Sequence, residues 1–152
     1  MDRKTIVIST HGPWHKERFK RWSPRAGCEK VLIETREQLT RERLQALAPF
    51  YVFFPHWSWI IPREIHEAFP CVMFHPGDVP FGRGGSPVQN LIVRGIYQTQ
   101  LSAFKIIEEL DAGPVYLKRP LDLSSGSAEE IFGKPLKNFS ARLISWSGIV
   151  QL

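Results

Sequence analysis

His75 is the residue best placed to do chemistry. It ends the apolar run Cys71-Val72-Met73-Phe74 and opens a loop, Pro76 to Ser86, dominated by Gly, Pro and charge. Imidazole titrates near neutral pH, so a histidine at such a junction can hold or move a proton, or donate to a developing negative charge. His56 follows a second apolar run, Phe50-Tyr51-Val52-Phe53-Phe54, and belongs to the same sheet edge; a structural histidine is its plainer reading. Asp111, in Asp111-Ala112-Gly113, taken alone is an ordinary turn aspartate. His11 and His15 have the i, i+4 spacing of metal ligands, but Pro13 lies between them and no third ligand is near, so no metal site is expected.

Positioning these residues requires a scaffold, and the chain spells one out. Thr5 to Ser9 is a β-branched run and a first strand; Lys30 to Thr35 is a second. Thr35 to Gln38 has the form of a capping box, ahead of a Leu39, Leu44, Leu47 stripe that Pro49 ends. The aromatic run 50–54 is hydrophobic on both faces, as a central parallel strand is. Pro62 opens a helix through Phe69, with His66 on its surface, and 71–74 is a buried strand. Ser86 as N-cap and Pro87 at the first helical position start another helix that stops at Gly95. Thr99 to Ile107 and Val115 to Lys118 are two further strands around an acidic turn. Ser127 to Glu130 caps a last helix, 128–132. Alternating strands and helices predict an α/β fold: an open, mostly parallel, Rossmann-like sheet with helices on both faces. Its site is expected at the carboxyl edge of the strands. The domain is expected to be residues 1–132, with 133–152 an irregular tail. The first βα turn, Ser9 to Pro13, lacks a dinucleotide fingerprint, so a generic Rossmann-like binding module is the other fold-level reading and NAD is not expected.

With 152 residues, 43% hydrophobic and 23% charged, the chain has the composition of one ordinary globular domain. No apolar run approaches the roughly 20 residues of a membrane span. Met1 to Lys4 leads straight into a strand, without the look of a signal peptide, and Cys28 and Cys71 are lone thiols. A reducing cytoplasm is the expected compartment. The net charge of +5 points to an anionic ligand. Lys16, Arg18, Lys20 and Arg21 alternate with Trp14, Phe19 and Trp22, a pattern able to meet phosphates or unpaired bases. A solvated face anchored by its aromatics is the plainer reading, and nucleic acid is not the expected partner.

The 75–87 stretch also carries a resemblance. His75-Pro76, then Pro80, Arg83-Gly84 and Pro87 resemble the active-site segment of the folate-dependent formyltransferases. Trp57-Ser58-Trp59-Ile60-Ile61-Pro62 resembles the segment that precedes that family's active-site strand, and Leu110 to Val115 is similar to its Asp-x-Gly loop. The spacing of His75 and Asp111 is also the family's. The resemblance runs from about Ile33 to Phe132 and is specific as a combination. It implies the formyltransferase fold, 10-formyltetrahydrofolate as formyl donor, and His75 and Asp111 as catalytic pair. It implies Trp57, Ser58, Trp59, Ile60 and Gly113 at the folate, and His56, Arg83, Gly84, Gln89 and Asn90 toward the amine substrate.

Formyl transfer to an amine passes through an oxyanion, and the implied roles suit it. Protonated His75 stabilises the oxygen; Asp111 holds His75 charged and takes a proton from the amine. The family motif is Asn-x-His, whereas the residue two before His75 is Met73, which donates nothing. His56, Gln89 and Asn90 are the side chains expected near enough to substitute. Among acceptors, a nucleotide-linked amino sugar is expected, its diphosphate meeting the basic N-terminal segment. A methionyl-tRNA formyltransferase would need a second domain, and purine-pathway enzymes keep the Asn. The alternative is a non-catalytic folate- or nucleotide-binding relative.

Overall fold

A computed structural model describes residues 3–24, 26–127 and 129–131. In it six strands form one sheet in the order β2-β1-β3-β4-β5-β6. They are β1 (Lys4–Thr10), β2 (Cys28–Ile33), β3 (Tyr51–His56), β4 (Cys71–Pro76), β5 (Gln98–Lys105) and β6 (Val115–Asp122). The first four pair in parallel, and β4–β5 and β5–β6 are antiparallel. The fold is therefore the expected α/β sheet, mostly parallel and closed at one edge by a hairpin. The expected tail, 133–152, lies outside the described residues, as does Phe132. None of the described helices is long and apolar enough to cross a membrane.

Strand alternation explains why helices cover both faces. Ile6, Ile8, Phe53, Val72 and Phe74 form one core with Phe19 of α1 (Pro13–Arg21). Val7, Val52, Phe54 and Cys71 face the other way. They meet Leu44 of α2 (Arg41–Leu47) and Ile65 of α3 (Arg63–His66). Val88 and Leu91 of α4 (Pro87–Val93) pack on Leu121 and Leu123 beside β6.

Local chemistry moves several boundaries. Thr35 to Gln38 is a single 3-10 turn in which the Gln38 side chain accepts from the Glu34 amide, and α2 is capped by Thr40, whose hydroxyl accepts from Arg43 N. Residues 62–69 make only one α-helical turn before Pro70. His66 is buried, not at the surface, because that turn lies flat against the second core. Ser86 precedes α4 in the left-handed region (φ 52°) and its side chain caps nothing; Asn90 Nδ2 instead donates to the Gly85 carbonyl. β2 begins at Cys28 and β3 runs on through Pro55 to His56. The capping box at the last helix forms as read: Ser127 and Glu130 exchange side-chain-to-amide hydrogen bonds.

The basic segment is partly absorbed by the fold. Lys30 Nζ donates to the carbonyls of Phe19, Lys20 and Trp22, satisfying the end of α1. Lys20 pairs with Glu17 and Glu34.

Candidate active site

His75 is the second-last residue of β4, and the loop after it turns back over the ring. Its Nδ1 lies 3.6 Å from Asp111 Oδ2, and both side chains are only 7% exposed. Its Nε2 is 2.7 Å from the Gly82 carbonyl oxygen. A carbonyl can only accept, so the ring carries a proton on Nε2. The Gly84 amide donates to Asp111 Oδ2 at 2.8 Å. One short turn thus grips both members of the pair. It can do so because Gly82 and Gly84 adopt positive φ, 73° and 97°, where a side chain is strained. Gly77 passes close over the ring: a Cβ there would stand 3.0 Å from His75 Cδ2.

The pair forms part of the wall of a cavity of about 620 Å³ at the carboxyl ends of the parallel strands. Met73 lines the same cavity, as strand alternation requires of a residue two before His75. Across from them are His56, Trp57, Ser58, Trp59 and Ile60, with Gly84, Gln89 and Leu110 at other points. The segment after β3 is held by ring contacts: Trp57 and Trp59 meet edge to face at 4.9 Å, and Trp57 packs on Phe54.

Three sequence-expected residues stand apart from the lining. Arg83 points to Glu109 at 3.6 Å, and Asn90 is bonded to its own loop. Gly113 is pressed against β5, where an added Cβ would fall 1.6 Å from the Lys105 carbonyl oxygen. It permits the turn that delivers Asp111, itself at φ 52°. Among the described residues of the N-terminal segment, Gly12, Pro13 and His15 line the cavity.

The sequence pairs His11 with His15 and sets His56 apart, and the fold brings all three together, with His15 stacked on His56 and His11 tilted against it. His56 lies between the other two, with ring centroids 4.5 Å from His11 and 4.4 Å from His15. His11 also shares a 2.7 Å hydrogen bond with the Ser58 hydroxyl. Burial first, then the charges of His56, His11 and Arg18, lowers His15 to about 4. Burial and His11 likewise lower His56 to about 4. Both rings are neutral at pH 7, so this wall offers aromatic surface rather than fixed charge. Among the described residues no three His, Cys, Asp or Glu are grouped to hold a metal ion.

No family model matches the chain. Its fold and sequence are nonetheless similar to those of a methionyl-tRNA formyltransferase from Clostridium thermocellum. The TM-score is 0.83 at 41% identity, over 95% of this chain and 66% of that one. The chain belongs to the folate-dependent formyltransferase family. Among curated formyltransferases, a methionyl-tRNA formyltransferase of Nitratiruptor sp. is 32% identical over 94 residues, 61% of this chain and 31% of that protein. The formyltransferase PseJ from Anoxybacillus kamchatkensis is crystallised with a UDP-linked formamido sugar and tetrahydrofolate. It shares the fold at TM-score 0.69 and 15% identity, over 95% of this chain and 76% of its own. The chain spans about a third of the length of the curated formyltransferases it matches, 31% and 37% for two of them.

Proposed function

We propose that the protein transfers a formyl group from 10-formyltetrahydrofolate to a primary amine. The observation that carries this reading is the buried His75–Asp111 pair on the wall of a cavity, in a chain of formyltransferase fold. The cavity lies within the roughly 300–1,000 Å³ usual for small-molecule sites. Trp57, Trp59, Ile60 and Leu110 supply apolar surface suited to a flat heteroaromatic ring, and Ile60 and Leu110 are well exposed at 85% and 60%. The residues present therefore fit a folate, with Trp57, Ser58, Trp59 and Ile60 as the holding segment. Bound there, it would supply a formyl group on nitrogen.

The chain's own residues divide the remaining work. The acceptor nitrogen attacks the formyl carbon, negative charge moves on to the formyl oxygen, and the amine must lose a proton while the leaving nitrogen regains one. His75 Nε2–H is the donor for the oxygen, and the Gly82 carbonyl keeps the proton on that nitrogen until the formyl oxygen takes its place. Asp111 faces Nδ1, so it stabilises the imidazolium and lies within reach to accept the amine's proton. Met73 adds volume beside His75 but no donor. Gln89 is the cavity-lining amide available to replace the missing one.

The names of the curated relatives favour the amine of methionyl-tRNA as acceptor. The nucleotide-linked amino sugar expected from sequence leaned on chain length and on a basic segment that, among the described residues, contributes no Lys or Arg to the cavity lining. PseJ supports the shared fold only. The test is direct: incubate the protein with 10-formyltetrahydrofolate and, separately, methionyl-tRNA, a UDP-amino sugar and glycinamide ribonucleotide, then follow release of tetrahydrofolate and the formylated product. We expect transfer to methionyl-tRNA, reduced about 10²- to 10⁴-fold in His75→Gln and Asp111→Asn. Transfer to the sugar alone restores the earlier acceptor. Folate binding with no transfer to any amine rules out the enzyme and leaves a binding-only relative.

A further inference from the structure

His75, Ser102 and Lys118 stand in one row across three strands. In the β4–β5 ladder His75 pairs with Ser102, and in the β5–β6 ladder Ser102 pairs with Lys118. Directly opposed residues project to the same face, so all three side chains meet the loop that folds back after His75. Ser102 is fully buried, and its hydroxyl donates to the Gly77 carbonyl at 2.6 Å. Lys118 Nζ reaches the next two residues, donating to Asp78 Oδ1 at 2.5 Å and to the Val79 carbonyl at 2.6 Å. The Phe81 amide then closes a turn on to the Asp78 carbonyl, and Gly82 follows with its own carbonyl on His75 Nε2.

We infer that Ser102 and Lys118 are positioning residues for His75. They hold three successive residues, 77 to 79, on the path that returns Gly82 to the ring: Gly77 and Val79 by their backbone carbonyls and Asp78 by its carboxylate. Without those ties the Gly82 carbonyl has no fixed approach, and Asp111 Oδ2, 3.6 Å from Nδ1, is the acceptor left to draw the imidazole proton away from Nε2. The hairpin strands β5 and β6 thereby do more than close the sheet edge: they set which nitrogen of the histidine donates. The Lys118 side chain is 34% exposed and that of Asp78 53% exposed, so their ion pair contributes little to stability. A large effect on the ring with a small effect on melting is the signature that separates positioning from simple support. The ring part of this inference stands on geometry alone, and its kinetic part rests on the formyl-transfer reading.

The experiment uses the full chain carrying Lys118→Met, Lys118→Arg, Ser102→Ala or Ser102→Thr. Ring-nitrogen NMR, with His75 assigned by its loss in His75→Gln, reads the tautomer directly, and formyl transfer is assayed in parallel. The parent should show His75 protonated at Nε2 in its neutral form. Lys118→Met and Ser102→Ala should show both tautomers, with kcat reduced roughly two- to tenfold, in proportion to the lost Nε2-protonated fraction, and KM changed less than about threefold. Lys118→Arg and Ser102→Thr, which keep a donor, should recover the parent spectrum and most of kcat. A single unchanged tautomer in Lys118→Met and Ser102→Ala overturns the inference, whatever happens to melting temperature. If the parent transfers no formyl group, the function proposed above fails while the spectra still decide the strap. Should Ser102→Ala not fold, the Lys118 pair, on a part-exposed side chain, carries the decision.

Discussion

The Gly82 carbonyl oxygen and His75 Nε2 are 2.7 Å apart, and two residues further on the Gly84 amide reaches the partner carboxylate, Asp111. The turn is thus a bracket around the pair, and its glycines are not equivalent. Gly84 sits at φ 97°, whereas Gly85 is outside the positive-φ set and a Cβ there would meet nothing within 4 Å. Gly84→Ala should therefore cost about 1 kcal/mol of stability and lower formyl transfer, while Gly85→Ala should leave both near the parent. Equal losses in the two variants, by melting and steady-state assay, would refute this account of the bracket.

Gly77→Ala should act on chemistry more than on stability. The added methyl would stand 3.0 and 3.1 Å from His75 Cδ2 and Nε2, close enough to push the ring. A shift of the ring of about 1 Å can cost a hundredfold in rate. The expected result is a melting temperature near the parent's and a kcat well below it.

Gly113→Ala should instead unfold or strongly destabilise the protein. Its Cβ would overlap the Lys105 carbonyl oxygen at 1.6 Å, so backbone must move, at about 1–3 kcal/mol or more. Urea unfolding would measure the loss, and a stable Gly113→Ala with weakened folate binding alone would show a ligand-facing role instead.

Met73 lines the cavity on the same side of β4 as His75, where the family motif has an amide. Met73→Asn is expected to raise formyl transfer, with about 100- to 1,000-fold as the ceiling set by one oxyanion donor. If activity stays flat, Gln89→Ala should reveal the substitute by a comparable fall.

The stacked histidines make stability pH-dependent. His15 and His56 titrate at about 4 in the folded chain against an ordinary 6.5, burial being the larger cause for each. The unfolded chain therefore binds more protons between those values, and their contribution, complete above pH 6.5, is lost as pH falls toward 4. Denaturant midpoints measured across this range should decline with acid, and His56→Gln should flatten the decline. A slope unchanged in His56→Gln would assign it to other groups.

Much of the scaffold is legible locally because it obeys short-range rules. The β-branched and aromatic runs at 5–9, 50–54 and 71–74 became β1, β3 and β4, and alternation within them sorted Val72 and Phe74 from Met73 and His75. The Gly-rich loop before Pro87 and the capping box at Ser127 were equally readable. Ser86 and Thr35 show the limit: both carry the right side chain for a cap, yet Ser86 lies in the left-handed region and caps nothing, and α2 is capped by Thr40 rather than Thr35.

What the sequence by itself determined is the set of parts: a histidine at a strand end, an Asp-x-Gly turn, and an aromatic segment ahead of β4. The tertiary structure alone decided how they meet. Asp111 reaches His75 only because Gly113 lets its turn press on β5, and Nε2 is claimed by a carbonyl that Ser102 and Lys118 steer from two other strands. Three histidines, from the turn after β1, from α1 and from β3, become one aromatic wall for the same reason. Most of these contacts join residues far apart in the chain, brought together by strands whose pairing partners are set by the burial of whole faces rather than by any local run of residues.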